Sequence, residues 1–375
     1  MEEFVIKSIK ELVGILREDI KERELGDPIS NNSNDIAYPL DKSNFHGLKP
    51  PKVQRKMAFI DGGNQRILGT AEYSIQVNRV YFNMFDENNR VFPRSDMPTR
   101  IEFFSLTSKK TKGSKLFYET FLVPVKDQFR KYLPREEDLT FDAKNREIMV
   151  GNNADIERVA SMARRFSEWE FSRHIINLEL DENDLIVRDG SLQTSLPNES
   201  AYTDKAMRMA KKKKVIFSGL SKTSALPTST GLSVISSIQR FAAESQIGLD
   251  TWCYGPVFRA KSETHKAVVM AVKLNKCADR PFRFEISEDK SYDTNEGLSN
   301  ETLDIVSSLI SNSNDFCFPG YPYGLYDADR WARVKNEETE IYETELKSEL
   351  SKQGIWKIFK TLMKAVDAHD KLDEV

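Results

Sequence analysis

Little of the chemistry that usually marks a sequence is present here. Only three of the 375 residues are cysteine, Cys253, Cys277 and Cys317, without a CxxC pair or a histidine at finger spacing. A disulfide framework and a structural zinc site are therefore not expected, and reduced thiols are. No window approaches the roughly 20 uninterrupted apolar residues that a spanning helix needs. The first residues carry an acidic amphipathic pattern rather than a basic segment followed by an apolar one, so a cytoplasmic protein is expected. Neither charge sign dominates: 55 basic against 58 acidic side chains leave a net charge of -3. The global field does not advertise nucleic-acid binding, which must come from a local patch. What is present, 39% apolar residues with 10% aromatics and 30% charged ones, builds a full core under a wet surface.

Phe4, Ile9, Leu12, Val13, Leu16 and Ile20 recur at helical spacing, so residues 1–24 read as an amphipathic helix. Residues 25–52 are rich in Asn, Ser, Asp and Pro and read as a polar linker. From Met57 the texture becomes β-branched and aromatic, and an antiparallel meander of three or four strands is expected through Val123. Tyr73, Ile75 and Val77 alternate, while Val80 and Phe82 resume one residue out of phase, which suits a bulge or turn between them. A helix over Asp155 to Ile176, a buried strand at Leu185-Ile186-Val187, a helix over Asp204 to Lys212 and a strand at Val215-Ile216-Phe217 follow. Two further strands, Ala267 to Leu274 and Phe282 to Ile286, precede a helix at Glu301 to Ile310 and a largely helical C-terminal part. The pattern implies an α/β fold, a mixed sheet flanked by helices, with helical extensions at both ends.

Phe59-Ile60-Asp61-Gly62-Gly63 places an acid at the end of an apolar strand, followed by glycines that let a ligand approach the backbone. A plain Asp-Gly hairpin explains this motif equally well. Leu185-Ile186-Val187-Arg188-Asp189-Gly190 repeats the arrangement, and two carboxylates at neighbouring strand ends suit a divalent cation with oxygen ligands. On the intervening helix, Arg164-Arg165-Phe166-Ser167-Glu168-Trp169-Glu170 offers two glutamates, one of which can face the strand ends. Gly219-Leu220-Ser221-Lys222-Thr223-Ser224 is not a Walker A loop, yet Lys222 can neutralise a phosphate. Lys211, Lys212, Lys213 and Lys214 close the densest basic cluster, either a track for a nucleic-acid backbone or a solvated face. Tyr321-Pro322-Tyr323-Gly324-Leu325-Tyr326-Asp327-Ala328-Asp329 leads an aromatic turn into a helix whose acids serve as caps or as a further metal ligand.

In this order the motifs FIDGG, RRFSEW, LIVRDGSL, GLSKTS and YPYGLYDAD resemble the NurA nuclease family, RNase H-like enzymes that process DNA ends beside the hexameric ATPase HerA. The resemblance spans residues 57 to about 335. It implies an RNase H-like nuclease domain over 53–335 and a C-terminal helical extension over 336–375. It further implies that Asp61 and Asp189 bridge metals, that Glu168 is the helix-borne ligand, with Glu170 left as the alternative, and that Asp329 is the fourth. Gly63 departs from the family, which commonly has serine there.

The activity implied is a metal-dependent deoxyribonuclease acting on single strands and duplex ends, 5′ to 3′, in DNA-end resection and recombinational repair. Two ions, Mn²⁺ or Mg²⁺, would be held by four carboxylates, with Lys222 offsetting charge on the phosphate. No histidine is then needed as base, in keeping with only His46, His174, His265 and His369. The partners implied are DNA, a HerA-like hexameric ATPase and a second copy of the chain. The competing reading is a catalytically inactive RNase H-like module that binds DNA or a partner; such a module should have lost an acid, and all four are present.

Overall fold

The computed structural model describes residues 2–30, 32–150, 153–287, 293–294 and 297–364. The chain begins with helix α1 (Glu2–Glu22), as the periodicity implies. Its apolar residues lie open to solvent, Phe4 being 78% and Leu12 64% exposed. The polar segment that follows is a strap rather than a free linker. Ile36–Ala37 and Phe45–Gly47 each pair with a strand at the edge of the main sheet, and Tyr38 N donates to Val257 O.

Four long strands come next: β1 (Lys56–Gly69), β2 (Tyr73–Asp86), β3 (Arg100–Lys112) and β4 (Lys115–Pro124), the expected antiparallel meander. Helix α2 (Ile156–Glu179), capped by the Asp155 carboxylate accepting from Glu157 N, leads to β5 (Leu185–Asp189). Helix α3 (Glu199–Lys213), β6 (Ile216–Ser221) and α4 (Val234–Glu244) follow, then β7 (Trp252–Ser262), β8 (His265–Lys273) and β9 (Phe282–Ser287). The chain closes with α5 (Asn300–Ser307), α6 (Tyr323–Ala332), α7 (Asn336–Lys352) and α8 (Trp356–Lys364). Val366 and His369 lie outside the described residues. No helix among those described is long and apolar enough to cross a membrane.

The strands form one mixed sheet in the order β7-β8-β9-β6-β5-β1-β2-β3-β4. Only β5 runs parallel to its neighbours, β1 on one side and β6 on the other. Alternation divides the side chains between two cores. Ile60, Ile186 and Phe217 pack under α2 with Phe166 and Trp169, while Phe59, Val187 and Leu220 pack under α5 and α6 with Ile305 and Leu325.

The phase change in β2 has a cause other than the expected bulge between Val77 and Val80. The strand is continuous, and the register shift lies opposite, between Arg66 and Leu68 of β1. Val80 and Phe82 face the α2 core, whereas Ile75 and Val77 face a second cover made by Tyr342, Leu346 and Phe359 of α7 and α8. Apolar residues switch faces because the covering helices do.

Helix α6 lies unusually close to β1. A Cβ added at Gly324 would fall 2.1 Å from Cδ2 of the fully buried Phe59. Gly324→Ala is expected to destabilise the fold by about 1–3 kcal/mol through overpacking, read as a lower urea midpoint at unchanged m-value.

Candidate active site

The parallel ladder between β1 and β5 ends at the pair Ile60 and Arg188. The next residue on each strand is an aspartate, Asp61 and Asp189, so the two acids emerge side by side where the strands part. Asp189 ends its strand, as expected, and the chain turns away at Gly190 with φ 101°. Asp61 does not end its strand. β1 runs on through Gly62 and Gly63, paired to Val80 and Arg79, so a hairpin at Asp61-Gly62 is ruled out.

Those glycines serve close approach instead. A Cβ on Gly62 would lie 2.4 Å from Glu168 Oε1, and one on Gly63 would lie 2.4 Å from the carbonyl oxygen of Ala332. Successive residues of a strand face opposite ways, so Gly62 admits α2 on one face and Gly63 admits the end of α6 on the other. A serine at Gly63 would meet that carbonyl.

Asp329 reaches the site from α6. Oxygens of Asp61, Asp189 and Asp329 all lie within 4.8 Å of one another, a grouping able to hold a metal ion. Lys222, just past the end of β6, places Nζ 2.8 Å from Asp189 Oδ2 and 2.7 Å from Asp329 Oδ1. The Arg333 guanidinium holds the other oxygen of Asp329 at 2.7 Å.

Charge and burial then set the protonation of the group. Burial, followed by repulsion from Asp189 and Glu168, drives the Asp61 carboxyl well above its ordinary value against the pull of Lys222. Burial also works against ionised Asp329, but its hydrogen bond to Lys222 and the Arg333 charge outweigh it and hold the group low. Lys222 is raised because Asp189 and its hydrogen bonds overcome desolvation of the ammonium. Tyr321, whose ring lies 5.4 Å from Lys222 Nζ, is raised well above the usual phenol range by burial and by Asp189.

Glu168 lies behind this group, 1% exposed and paired with two arginines: Arg188 Nη2 at 2.6 Å, and Arg164. Arg188 stacks at 4.4 Å on the Trp169 ring. Glu170, the alternative ligand, turns elsewhere and is held at about 2 because His174 and Arg173 override its burial. Lys211 to Lys214 are not brought to the acids. They precede β6, whereas the site lies past its other end, about 16 Å away at ~3.3 Å per residue. Lys214 is engaged there by Glu182 at 2.8 Å.

Arg164, Arg188, Tyr321 and Arg333 are not among the residues expected at the site. Arg188 carries a usable signal, since a charge inside the apolar run Leu185-Ile186-Val187 requires a buried partner.

Strand order defines a mixed α/β sheet flanked by helices, with three aspartates gathered where its central parallel strands part. The sequence matches the NurA domain family over residues 55–334, about three quarters of the chain, and the chain belongs to that family. No curated protein matches it. Among solved structures it is similar to endonuclease V of Ciona intestinalis in complex with a 24mer DNA containing an inosine followed by a ribo-adenosine. The identity is 12%, 74% of this chain and 84% of that one are covered, and the TM-score is 0.33. For the catalytic domain of human endonuclease V the values are 11%, 81%, 86% and 0.33. For Argonaute of Aquifex aeolicus they are 10%, 76%, 29% and 0.26. Likenesses this distant carry no argument about activity or substrate.

The raised Asp61 carboxyl makes a stability prediction whose sign is fixed. The folded state binds this proton more tightly than the unfolded chain does, so stability falls as pH rises from the ordinary value of 3.8 through the folded value. Asp61→Asn keeps an oxygen to accept from Gly62 N and removes the charge. Its melting temperature in EDTA should exceed that of the native chain near neutral pH, with the difference closing below about pH 4.

Proposed function

We propose that the chain is a metal-dependent deoxyribonuclease that hydrolyses phosphodiester bonds of single strands and duplex ends, 5′ to 3′, in DNA-end resection and recombinational repair. The observation that carries this reading is the convergence of Asp61, Asp189 and Asp329, with oxygens within 4.8 Å of one another, in a NurA domain. Three carboxylates of this kind suit a hard divalent cation, Mn²⁺ or Mg²⁺. The ammonium of Lys222 between two of them indicates a spot that favours positive charge.

Asp61, Asp189 and Asp329 would hold the ions, two in number if Glu168 joins them. A divalent cation bound there supplies Lewis-acid polarisation of the phosphodiester and lowers the pKa of the attacking water. Glu168 can join only by giving up Arg164 or Arg188, its present partners. Lys222 stands on the turn after β6, placed to offset charge on the phosphate in transfer. The buried ring of Tyr321 backs Lys222 on one side. In this reading a HerA-like hexameric ATPase and a second copy of the chain are the protein partners. The solvent-exposed apolar stripe of α1 is a surface such a partner would cover.

Labelled single- and double-stranded DNA, incubated with Mn²⁺, with Mg²⁺ and with EDTA, tests the reading directly. Cleavage should require the metal and vanish in Asp189→Asn. Glu168→Gln should lower turnover by roughly 10- to 100-fold, while Glu170→Gln stays near the native rate because its carboxylate faces His174 and Arg173. An inactive DNA-binding module would instead bind DNA without cutting it under any of the three conditions.

Lys211 to Lys214 belong to the proposal as a track for the DNA backbone at the far end of the sheet. Reversing two of these charges should weaken DNA binding for every sequence tested. The plot of log K against log salt for single strands should flatten by about 0.7 for each phosphate that is no longer neutralised. An unchanged slope would return the run to the solvent.

A further inference from the structure

Helix α6 delivers Asp329 to the acidic cluster, and the residues one turn to either side of it are exposed. Residues three and four apart are neighbours on a helix surface, so Tyr326, Asp329 and Arg333 share one flank of α6. Arg333 caps the helix, and its Nη2 reaches back to Asp329 Oδ2 at 2.7 Å. Asp327, the other acid of α6, stands about 200° away around the axis. It is buried on the opposite flank, where Asn83 Nδ2 donates to it at 2.8 Å and Trp331 Nε1 at 3.1 Å. The flank that bears Asp329 therefore presents an aromatic ring, a carboxylate of the acidic cluster and a guanidinium, in that order.

Neither outer group is consumed by contacts within the chain. Tyr326 is 36% exposed. Its ring lies 6.3 Å from that of Tyr323, which in turn packs edge-on against Phe85 at 5.9 Å. The ring is thus backed by a supported neighbour, which lowers the cost of ordering it against a ligand. The Arg333 side chain is 69% exposed, and Asp329 is its one side-chain partner among the described residues. Most of its five N–H donors are therefore open to an acceptor. Lys222, by contrast, is committed to Asp189 and Asp329. From Tyr326 to Arg333 the helix rises about 10.5 Å, close to the axial length of about three nucleotides on one strand of a duplex. A single exposed tyrosine is ordinary on any protein surface. A supported ring and an open guanidinium on either side of a metal-site carboxylate are the two features by which proteins hold a single strand, one stacking on a base and the other neutralising a phosphate.

We propose that this flank of α6 holds the single strand whose phosphodiester lies at Asp61, Asp189 and Asp329, with one unpaired base stacked on Tyr326 and a neighbouring phosphate bound by Arg333. The proposal rests on the nuclease reading and adds to it the surface along which the strand approaches. Tyr326 and Arg333 lie on the same side of the sheet as the three aspartates, because α6 itself carries one of them.

The experiment measures binding, in EDTA, of a thymidine homopolymer and of an abasic homopolymer with the same number of phosphates. The native chain should bind the base-bearing polymer about ten-fold more tightly. Tyr326→Leu should abolish that preference and Tyr326→Trp should retain it, both at an unchanged melting temperature. Arg333→Gln should weaken binding of both polymers alike and flatten the plot of log K against log salt by about 0.7. A preference that is absent from the native chain, survives in Tyr326→Leu or is lost equally in Tyr326→Trp overturns the stacking contact, and an unchanged salt slope in Arg333→Gln overturns the phosphate contact. Metal-dependent cleavage by the native chain in the same preparation separates the two readings. Cleavage without a base preference sinks the α6 surface alone, and absence of cleavage with either metal sinks the nuclease reading and the surface with it.

Discussion

Mutual repulsion of three carboxylates is the constraint around which the molecule is arranged. Charges within 4.8 Å of one another repel by about 3 kcal/mol per pair at an effective dielectric of about 20. Lys222, at 2.8 and 2.7 Å from two of them, and Arg333, at 2.7 Å from one, return much of that energy. Asp61 has no ion pair among the described residues, and its carboxyl is the one pushed upward. The site is therefore short of positive charge at one identifiable position. A hard cation would relieve this deficit without moving the backbone.

The sheet supplies the geometry that brings those acids together. Because β5 is parallel to β1 and both strands end their shared ladder at Ile60 and Arg188, the next residues on each must lie next to one another. Asp61 and Asp189 thus face the α6 side with Phe59 and Val187, while Arg188 faces the α2 side with Ile186. The same alternation separates Glu168 from the aspartates and gives it two arginines as neighbours. Gly62 and Gly63 let helices on both faces close onto one point of β1, which no residue with a Cβ permits at the distances found. Gly219 has a similar role beside the second acid, since a Cβ there would meet the carbonyl oxygen of Gly190 at 2.4 Å.

Much of this is legible where local pattern and global placement agree. The apolar runs that end in Asp61 and Asp189, the helix between them and the lysine after β6 announce themselves because each is a short element bounded by glycine or charge. β7 is not legible. Gly255-Pro256 interrupts it and its register shifts between Tyr254 and Phe258, so no clean alternation survives. The strap at Ile36–Ala37 and Phe45–Gly47 reads as linker because its strands are two and three residues long, too short for any periodic signal. Nor does a sequence reveal which end of a strand a basic run occupies. Lys211 to Lys214 and Lys222 are close in sequence, yet β6 lies between them and puts them at its opposite ends.

Two kinds of ionic group therefore coexist near the strand ends, and their difference has a physical origin. On the α2 side Arg164, Arg188 and Glu168 are matched and largely buried, and Arg165 pairs with the buried Glu199, which also accepts from Trp169 Nε1 at 2.9 Å. Breaking such pairs leaves a charge without water or partner, which is costly, so they fix α2 rigidly against β1 and β5. On the α6 side the acids outnumber the cations and remain partly open to solvent. Rigidity on one face and unmatched charge on the other are complementary. A framework that cannot relax keeps the aspartates close despite their repulsion, and that closeness is what makes their oxygens a group able to hold a metal ion.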